Sequence, residues 1–264
     1  MDPFAQFKQT QREGWQHFLK MEAITTASAA RLVQFAGVAK GMRVLDVACG
    51  TGVVALTAAR LGAQVKGADL TPQLLERARE NSRIAEVQVE WVEADVENLP
   101  FADGEFEVVL SQFGHMFAPR PEVAIGQMLR VLRRGGTIAF STWPPESLSG
   151  RSMALSGRYM PPPPPGVAPP ILWGDPSVVR QRLGDAADDL VFDRDHVLSP
   201  ALSPQHYRLE RERSVGPMIK LVETLSSDPD RLQVFRSDFE AIVAQYLRDN
   251  LVRADYLLTR ARKR

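Results

Sequence analysis

The sequence predicts an α/β protein in which a mostly parallel sheet is covered by helices on both faces. Two observations carry that prediction. Short apolar, β-branched runs alternate with helix-periodic segments between residues 43 and 141. The first run ends in a glycine-rich turn, Ala48-Cys49-Gly50-Thr51-Gly52, that opens directly into a helical pattern. A chain of 264 residues, 44 % hydrophobic and 24 % charged, is long enough for one well-buried domain with additions, or for two small domains.

Each element follows from local pattern. Phe4, Phe7, Trp15, Phe18 and Leu19 are spaced for one apolar helix face, and residues 27–38 read as a second helix stopped near Gly41. Residues 43–48 read as a buried strand, 51–61 as a helix and 63–69 as a second strand. A helix over 72–82 follows, with Thr71 placed to cap it and Pro72 at its first position. The third strand is expected over 87–92, the fourth over 106–111 and a helix over 121–132, before Gly135-Gly136 turns the chain into a fifth strand over 137–141.

Beyond Trp143 the alternation stops. A short helix over 151–159 leads into five consecutive prolines at 161–165, read as a stiff spacer. Helix is expected over 175–183, a sixth strand within 189–198 and two or three amphipathic helices within 203–246. The last part of 251–259 suits a strand, and the basic run 260–264 reads as a solvated tail. With no internal repeat and no linker-bound segment, a single domain over 1–264 is expected. Its sheet core would span about 38–145 with 186–199 and 250–262, and its helical cap about 1–37, 146–185 and 200–249.

Composition excludes several function classes. The 32 basic and 32 acidic residues cancel, which disfavours nucleic acid as a partner. One cysteine, Cys49, permits neither an intrachain disulfide nor a cysteine-based zinc cluster. The N-terminal residues lack the pattern of a signal peptide, and no apolar run approaches the roughly 20 residues needed to span a bilayer. A cytoplasmic location, no membrane span and a small-molecule substrate are the expectations.

The glycine turn carries the chemistry. A strand running into a glycine turn and a helix places a ligand at the carboxyl end of the sheet. Gly50-x-Gly52-x-x-Ala55 also satisfies a dinucleotide fingerprint, and Asp69 lies 17 residues after Gly52, a workable ribose partner. Asp46 separates the readings. A carboxylate just before the turn repels a pyrophosphate, whereas S-adenosylmethionine brings an ammonium and a sulfonium and no phosphate.

On these residues, Val44-Leu45-Asp46-Val47-Ala48-Cys49-Gly50-Thr51-Gly52 resembles motif I of class I S-adenosylmethionine-dependent methyltransferases. The likeness continues in order through Asp69, Glu93-Ala94-Asp95-Val96, Leu99-Pro100-Phe101 and Leu129-Arg130-Val131-Leu132-Arg133-Arg134-Gly135-Gly136, with Arg134 where proline is more usual. It covers about residues 41–143; segments 161–174 and 216–261 resemble uncharacterised bacterial relatives of the ubiquinone/menaquinone-type methyltransferases.

The resemblance implies a Rossmann-like, doubly wound sheet with an antiparallel seventh strand, for which 255–260 is the candidate. It implies S-adenosyl-L-methionine as cofactor and S-adenosyl-L-homocysteine as product. Asp46, Ala48, Gly50 and Gly52 would cradle the donor, Asp69 would hold the ribose hydroxyls, and Leu70 and Leu74 would line the adenine. Asp95, beside Val96, would accept from the adenine amino group, and Ser111 would stand near the methionine end.

Methyl transfer from a sulfonium is an in-line displacement that asks chiefly for alignment and exclusion of water. His115 is the first candidate for a general base, ahead of His17, His196 and His206. Trp15 and Phe18 are candidates to close over the donor, and Tyr159 and Tyr207 to donate hydrogen bonds from the cap. The segment after the fourth strand lacks the Asn/Asp-Pro-Pro-aromatic motif of many amino-group methylators. No carboxylate cluster for magnesium is evident. The expectation is therefore metal-independent methylation of a small, apolar acceptor. The alternatives are a non-catalytic S-adenosylmethionine-binding protein and a nicotinamide-dependent oxidoreductase.

Overall fold

The computed structural model describes residues 2–264, Lys20 through its backbone only, so the first residue of the expected domain, Met1, lies outside the described residues. The chain opens with α1 (Ala5–Trp15), a 3-10 segment (Gln16–Met21) and α2 (Glu22–Phe35). The alternating region is β1 (Arg43–Val47), α3 (Val53–Arg60), β2 (Gln64–Asp69), α4 (Pro72–Ala85), β3 (Glu90–Glu93), β4 (Phe106–Gln112), α5 (Pro121–Val131) and β5 (Leu132–Thr142). There follow α6 (Leu148–Gly157), α7 (Pro176–Leu183), β6 (Ala187–Pro200), α8 (Pro204–Ser214), α9 (Gly216–Thr224), α10 (Pro229–Ala244), the two-residue β7 (Leu247–Arg248) and β8 (Leu251–Lys263).

The strands form one sheet in the order β3-β2-β1-β4-β5-β8-β6, with β7 paired to β8. Pairs β1/β2, β1/β4, β2/β3 and β4/β5 are parallel, while β8 runs antiparallel to both β5 and β6. This is the Rossmann-like arrangement with one reversed strand. The order turns back between β1 and β4, and that switch point is where a doubly wound sheet opens a crevice at its carboxyl edge.

Alternation along the strands divides the core between the two faces. Val44 of β1 and Leu110 of β4 join Leu32, Val54, Ala58 and the cap residues Phe235 and Phe239 on one face. Leu45, Val47 and Val109 join Ile125 and Met128 of α5, and Val179 and Leu183 of α7, on the other. Asp46 is 1 % exposed and the only charged residue of the buried run Val44–Val47, so it lies where apolar residues are the rule.

Several expectations are corrected. The second helix begins at Glu22, because the 3-10 segment packs against it and continues its winding. Thr71 stands at the N-cap of α4 with Pro72 next, yet its side chain makes no capping bond; its N–H donates instead to Asp69 Oδ1 at 2.8 Å. The third strand shortens to Glu90–Glu93, the stretch in register with Lys66–Asp69 of β2. Strand β5 starts at Leu132, and residues 133–136 bulge between the pairs Phe106↔Leu132 and Val108↔Thr137, with Gly135 at φ 69°.

The basic run at the end is no solvated tail. Arg260, Ala261, Arg262 and Lys263 belong to β8; Arg260 donates to Phe35 O and Lys263 Nζ to Leu132 O. A charged sequence sits in a sheet here because its long side chains reach backbone carbonyls at the rim.

Candidate functional site

Two cavities meet above the carboxyl ends of β1, β2 and β4. The first, with a volume of about 130 Å³, is lined among others by Asp46, Ala48, Gly50, Asp69, Leu70 and Leu74, and also by Asp95 and Val96. Eight of the ten predicted cofactor residues thus converge on one space, although they come from three different strand ends.

The turn explains the convergence. Ala48, Gly50 and Gly52 all have positive φ, at 52°, 56° and 84°, which folds the backbone back over the end of β1. Gly50 N–H then donates to Asp69 Oδ2 at 2.8 Å, tying the turn to the end of β2. Gly52 does not line the cavity. A Cβ there would come within 2.4 Å of the Trp91 ring, so the glycine is needed for close packing behind the turn.

Both acids are buried and carry unusual electrostatics. Asp46 Oδ2 accepts from Ala55 N–H at 3.0 Å, but Oδ1 has no hydrogen-bond partner. Burial, with the negative charge of Asp69 as a further contribution, pushes the Asp46 carboxyl well above the usual carboxylate range. Asp69 accepts from Gly50 N–H and Thr71 N–H; burial still raises its titration, with those bonds opposing the rise. A buried carboxylate with a bare oxygen is costly unless something positive meets it. The cavity therefore suits a ligand that brings its own ammonium, and it opposes a pyrophosphate.

Asp95 is more occupied than expected. Its Oδ1 accepts from Glu97 N–H at 2.9 Å, and its Oδ2 from Lys8 Nζ at 2.6 Å. Lys8 belongs to α1 and lies 2.6 Å from an oxygen of each of Asp2, Asp95 and Glu97, while Arg120 also grips Glu97 at 2.6 Å. These carboxylates keep Lys8 protonated against the burial that opposes its charge. Three acids thus converge after all, contrary to the expectation of no carboxylate cluster, but an ammonium already fills the point where their oxygens meet. No sequence signal pointed to Lys8. The contact spans 87 residues to Asp95.

Besides Gly52, two predicted residues stand outside both cavities. Ser111 Oγ donates to Val47 O at 2.8 Å and accepts from His115 N–H, bracing β4 against β1. His115 is fully buried and lines neither cavity. Its ring lies 4.6 Å from that of Phe140 and 4.7 Å from that of Trp173, and neither ring nitrogen has a partner. Burial, aided by the nearby Arg182 charge, pushes its pKa down to about 3. This neutral, enclosed imidazole has no route to a substrate, which corrects its assignment as base. His17, His196, His206 and Tyr159 also line neither cavity.

The second cavity is larger, about 330 Å³, and its wall is mostly apolar. It shares Trp15, Phe18, Thr25, Phe113 and Phe117 with the first, so the two spaces are neighbours across an aromatic wall. Trp15 and Phe117 rings are 4.7 Å apart, and Phe113 stacks on Trp143 at 3.9 Å. Trp15 and Phe18 thus line both cavities. Phe113, Phe117 and Gln112 were missed. Phe113 has φ 60°, a kink just past β4 that no periodicity reveals.

Comparison with known proteins agrees with this geometry. A family model described as a methyltransferase domain matches residues 45–140. An uncharacterised protein of Mycobacterium tuberculosis is 35 % identical over 233 residues, covering 88 % of this chain and 85 % of the relative. The demethylmenaquinone methyltransferase of Thermus thermophilus is 40 % identical over 105 residues, 39 % of this chain and 48 % of that one. A solved structure of a proposed methyltransferase from Bacillus halodurans has the same fold, with a TM-score of 0.61 and 22 % identity over 90 % of this chain and 99 % of that one.

Proposed function

The chain belongs to the class I S-adenosylmethionine-dependent methyltransferases, and we propose that it methylates a small, apolar acceptor by in-line displacement without a metal. The observation that carries this reading is the larger aromatic-walled cavity beside the acidic one. S-adenosylmethionine, when bound, supplies a methyl group already activated by its sulfonium.

The remaining work falls to the chain's own residues. Asp46, with its bare Oδ1, would hold the donor's ammonium, and Asp69 the ribose hydroxyls through lone pairs left over from its two backbone bonds. Leu70, Leu74 and Val96 would cover the adenine, with Asp95 near its amino group. Trp15, Phe18, Phe113 and Phe117 would align the acceptor across the shared wall and exclude water.

Metal-independence is supported by Lys8, whose ammonium holds the point where Asp2, Asp95 and Glu97 converge. Among the described residues the larger cavity is lined by no His, Asp or Glu. In this reading the acceptor atom reacts without a histidine or carboxylate base from that wall, which suits an acidic or intrinsically nucleophilic centre. Segments 1–37, 146–185 and 200–249 act in this reading as one cap on a single domain. Among the described residues no helix is long and apolar enough to cross a membrane.

Isothermal titration tests the donor half. S-adenosylmethionine and S-adenosylhomocysteine should bind saturably and NADH should not. Binding of NADH alone would reverse the reading of the glycine turn.

A further inference from the structure

Among the described residues the larger cavity has one charged residue in its wall, Arg211 of α8. Its neighbours on that helix are matched with acids: Arg208 pairs with Glu212 and Glu240, and Arg213 with Glu210. Arg211 has only weak partners. One terminal nitrogen donates to Ser199 Oγ at 3.0 Å, the other meets the thioether of Met21, and the guanidinium lies 4.4 Å from the Tyr207 ring centroid. No carboxylate among the described residues pairs with it.

A half-buried guanidinium in an apolar wall, left to a hydroxyl and a sulfur, lacks the acceptor that its planar fork is built for. Ser199, Met21 and Tyr207 also line the cavity, so its partners belong to the same wall. Arg211 lines the larger cavity only, whereas Trp15, Phe18, Phe113 and Phe117 line both cavities. From this arrangement we infer that the acceptor is an amphiphile bearing an anionic oxygen group. The anion is anchored by Arg211, and the apolar body extends to the shared aromatic wall, where the methylated atom lies. This rests on the reading of the larger cavity as the acceptor site. It adds a charge requirement that the apolar lining alone does not contain.

The test uses the full chain saturated with S-adenosylhomocysteine and three probes of one shape: 4-butylbenzoate, 4-butylbenzyl alcohol and 4-butylbenzylammonium. By titration calorimetry the carboxylate should bind at least about tenfold tighter than the alcohol, the size expected for a charge-assisted bond to a partly buried group, with the ammonium weakest. In Arg211→Gln that advantage should shrink to less than about threefold, while the alcohol and S-adenosylhomocysteine bind as before. Equal binding of all three probes to the wild-type chain, or a carboxylate preference that survives in Arg211→Gln, overturns the inference and leaves the acceptor cavity standing. Failure of all three probes while S-adenosylhomocysteine binds removes the acceptor cavity itself, a separate failure that takes the inference with it. The wild-type series needs no variant, so a poorly folding Arg211→Gln does not shelter the idea.

Discussion

The two cavities are built by opposite means. The acidic one sits at the ends of β1, β2 and β4, where backbone N–H groups, positive-φ residues and two buried carboxylates hold fixed positions. The larger one is enclosed by side chains from the N-terminal segment, α6, β6 and α8 to α10, and among the described residues its wall holds one cation, Arg211. A site made of strand ends can be rigid and shared by many relatives. A site made of cap side chains can be redrawn without touching the sheet. The division separates what every member of such a family needs, the donor, from what distinguishes one member from another.

Substitution at Asp46 should produce the largest contrast between the cavities. Asp46→Asn keeps an oxygen for Ala55 N–H but removes the charge facing the donor's ammonium. Donor affinity should fall by about 100-fold, in the range of a lost charge-assisted bond in a buried site, while probes of the larger cavity bind normally. Titration of both ligand classes checks this, and a donor affinity within a factor of about three of the wild type would remove Asp46 from the site.

The same variant has a pH signature. The Asp46 carboxyl titrates above its ordinary range in the folded chain, so between the ordinary and the raised values the folded state binds more protons than the unfolded state. Its favourable contribution is full in acid and is lost as pH rises through that interval. Wild-type apo-protein should therefore lose stability relative to Asp46→Asn as pH rises above the ordinary carboxylate range, measured by urea unfolding. A pH-independent gap would show that the carboxylate is well solvated.

Asp69→Asn should behave differently, because Asp69 accepts two backbone N–H groups where Asp46 accepts one. An amide must turn its NH2 toward Gly50 N–H or Thr71 N–H, so apo-stability should drop by about 1–3 kcal/mol along with donor affinity. A donor defect without a stability defect would mean that the turn is held by other contacts. Lys8→Met probes the latch of α1: the loss of its ammonium should destabilise the N-terminal segment by about 1–2 kcal/mol, Arg120 still serving Glu97. Amide exchange over residues 5–15 should quicken about tenfold, and unchanged exchange would show α1 to be held by Trp15 and Phe18 alone. The smallest effect is expected for Ala48→Gly. Ala48 has φ 52°, a conformation unfavourable for a residue with Cβ, so the variant should gain about 0.5–1 kcal/mol with donor binding retained.

Local patterns account for much of the acidic cavity. Asp46 and Gly50 are four residues apart, and Asp69 ends the next strand, so period-2 burial and turn chemistry suffice to bring strand ends and turn together. The same reasoning misplaced His115, because its surroundings are set by Trp173 from a segment 58 residues later and by the kink at Phe113. It also misread the basic end, where arginines and a lysine that look solvated pair with β5 and β6 as part of β8.

By itself, then, the sequence determined the sheet, the glycine turn, the acidic character of the donor cavity and the family, all of which depend on contacts near in the chain or on strand periodicity. Only the tertiary structure decided the Lys8 latch, the burial of His115 and the position of Arg211 on an apolar wall. These depend on contacts between distant segments such as Lys8 with Asp95, 87 residues apart, and Arg211 with Met21, 190 residues apart. Such contacts leave no period in the sequence, since what selects them is the packing of whole elements rather than the preference of neighbouring residues.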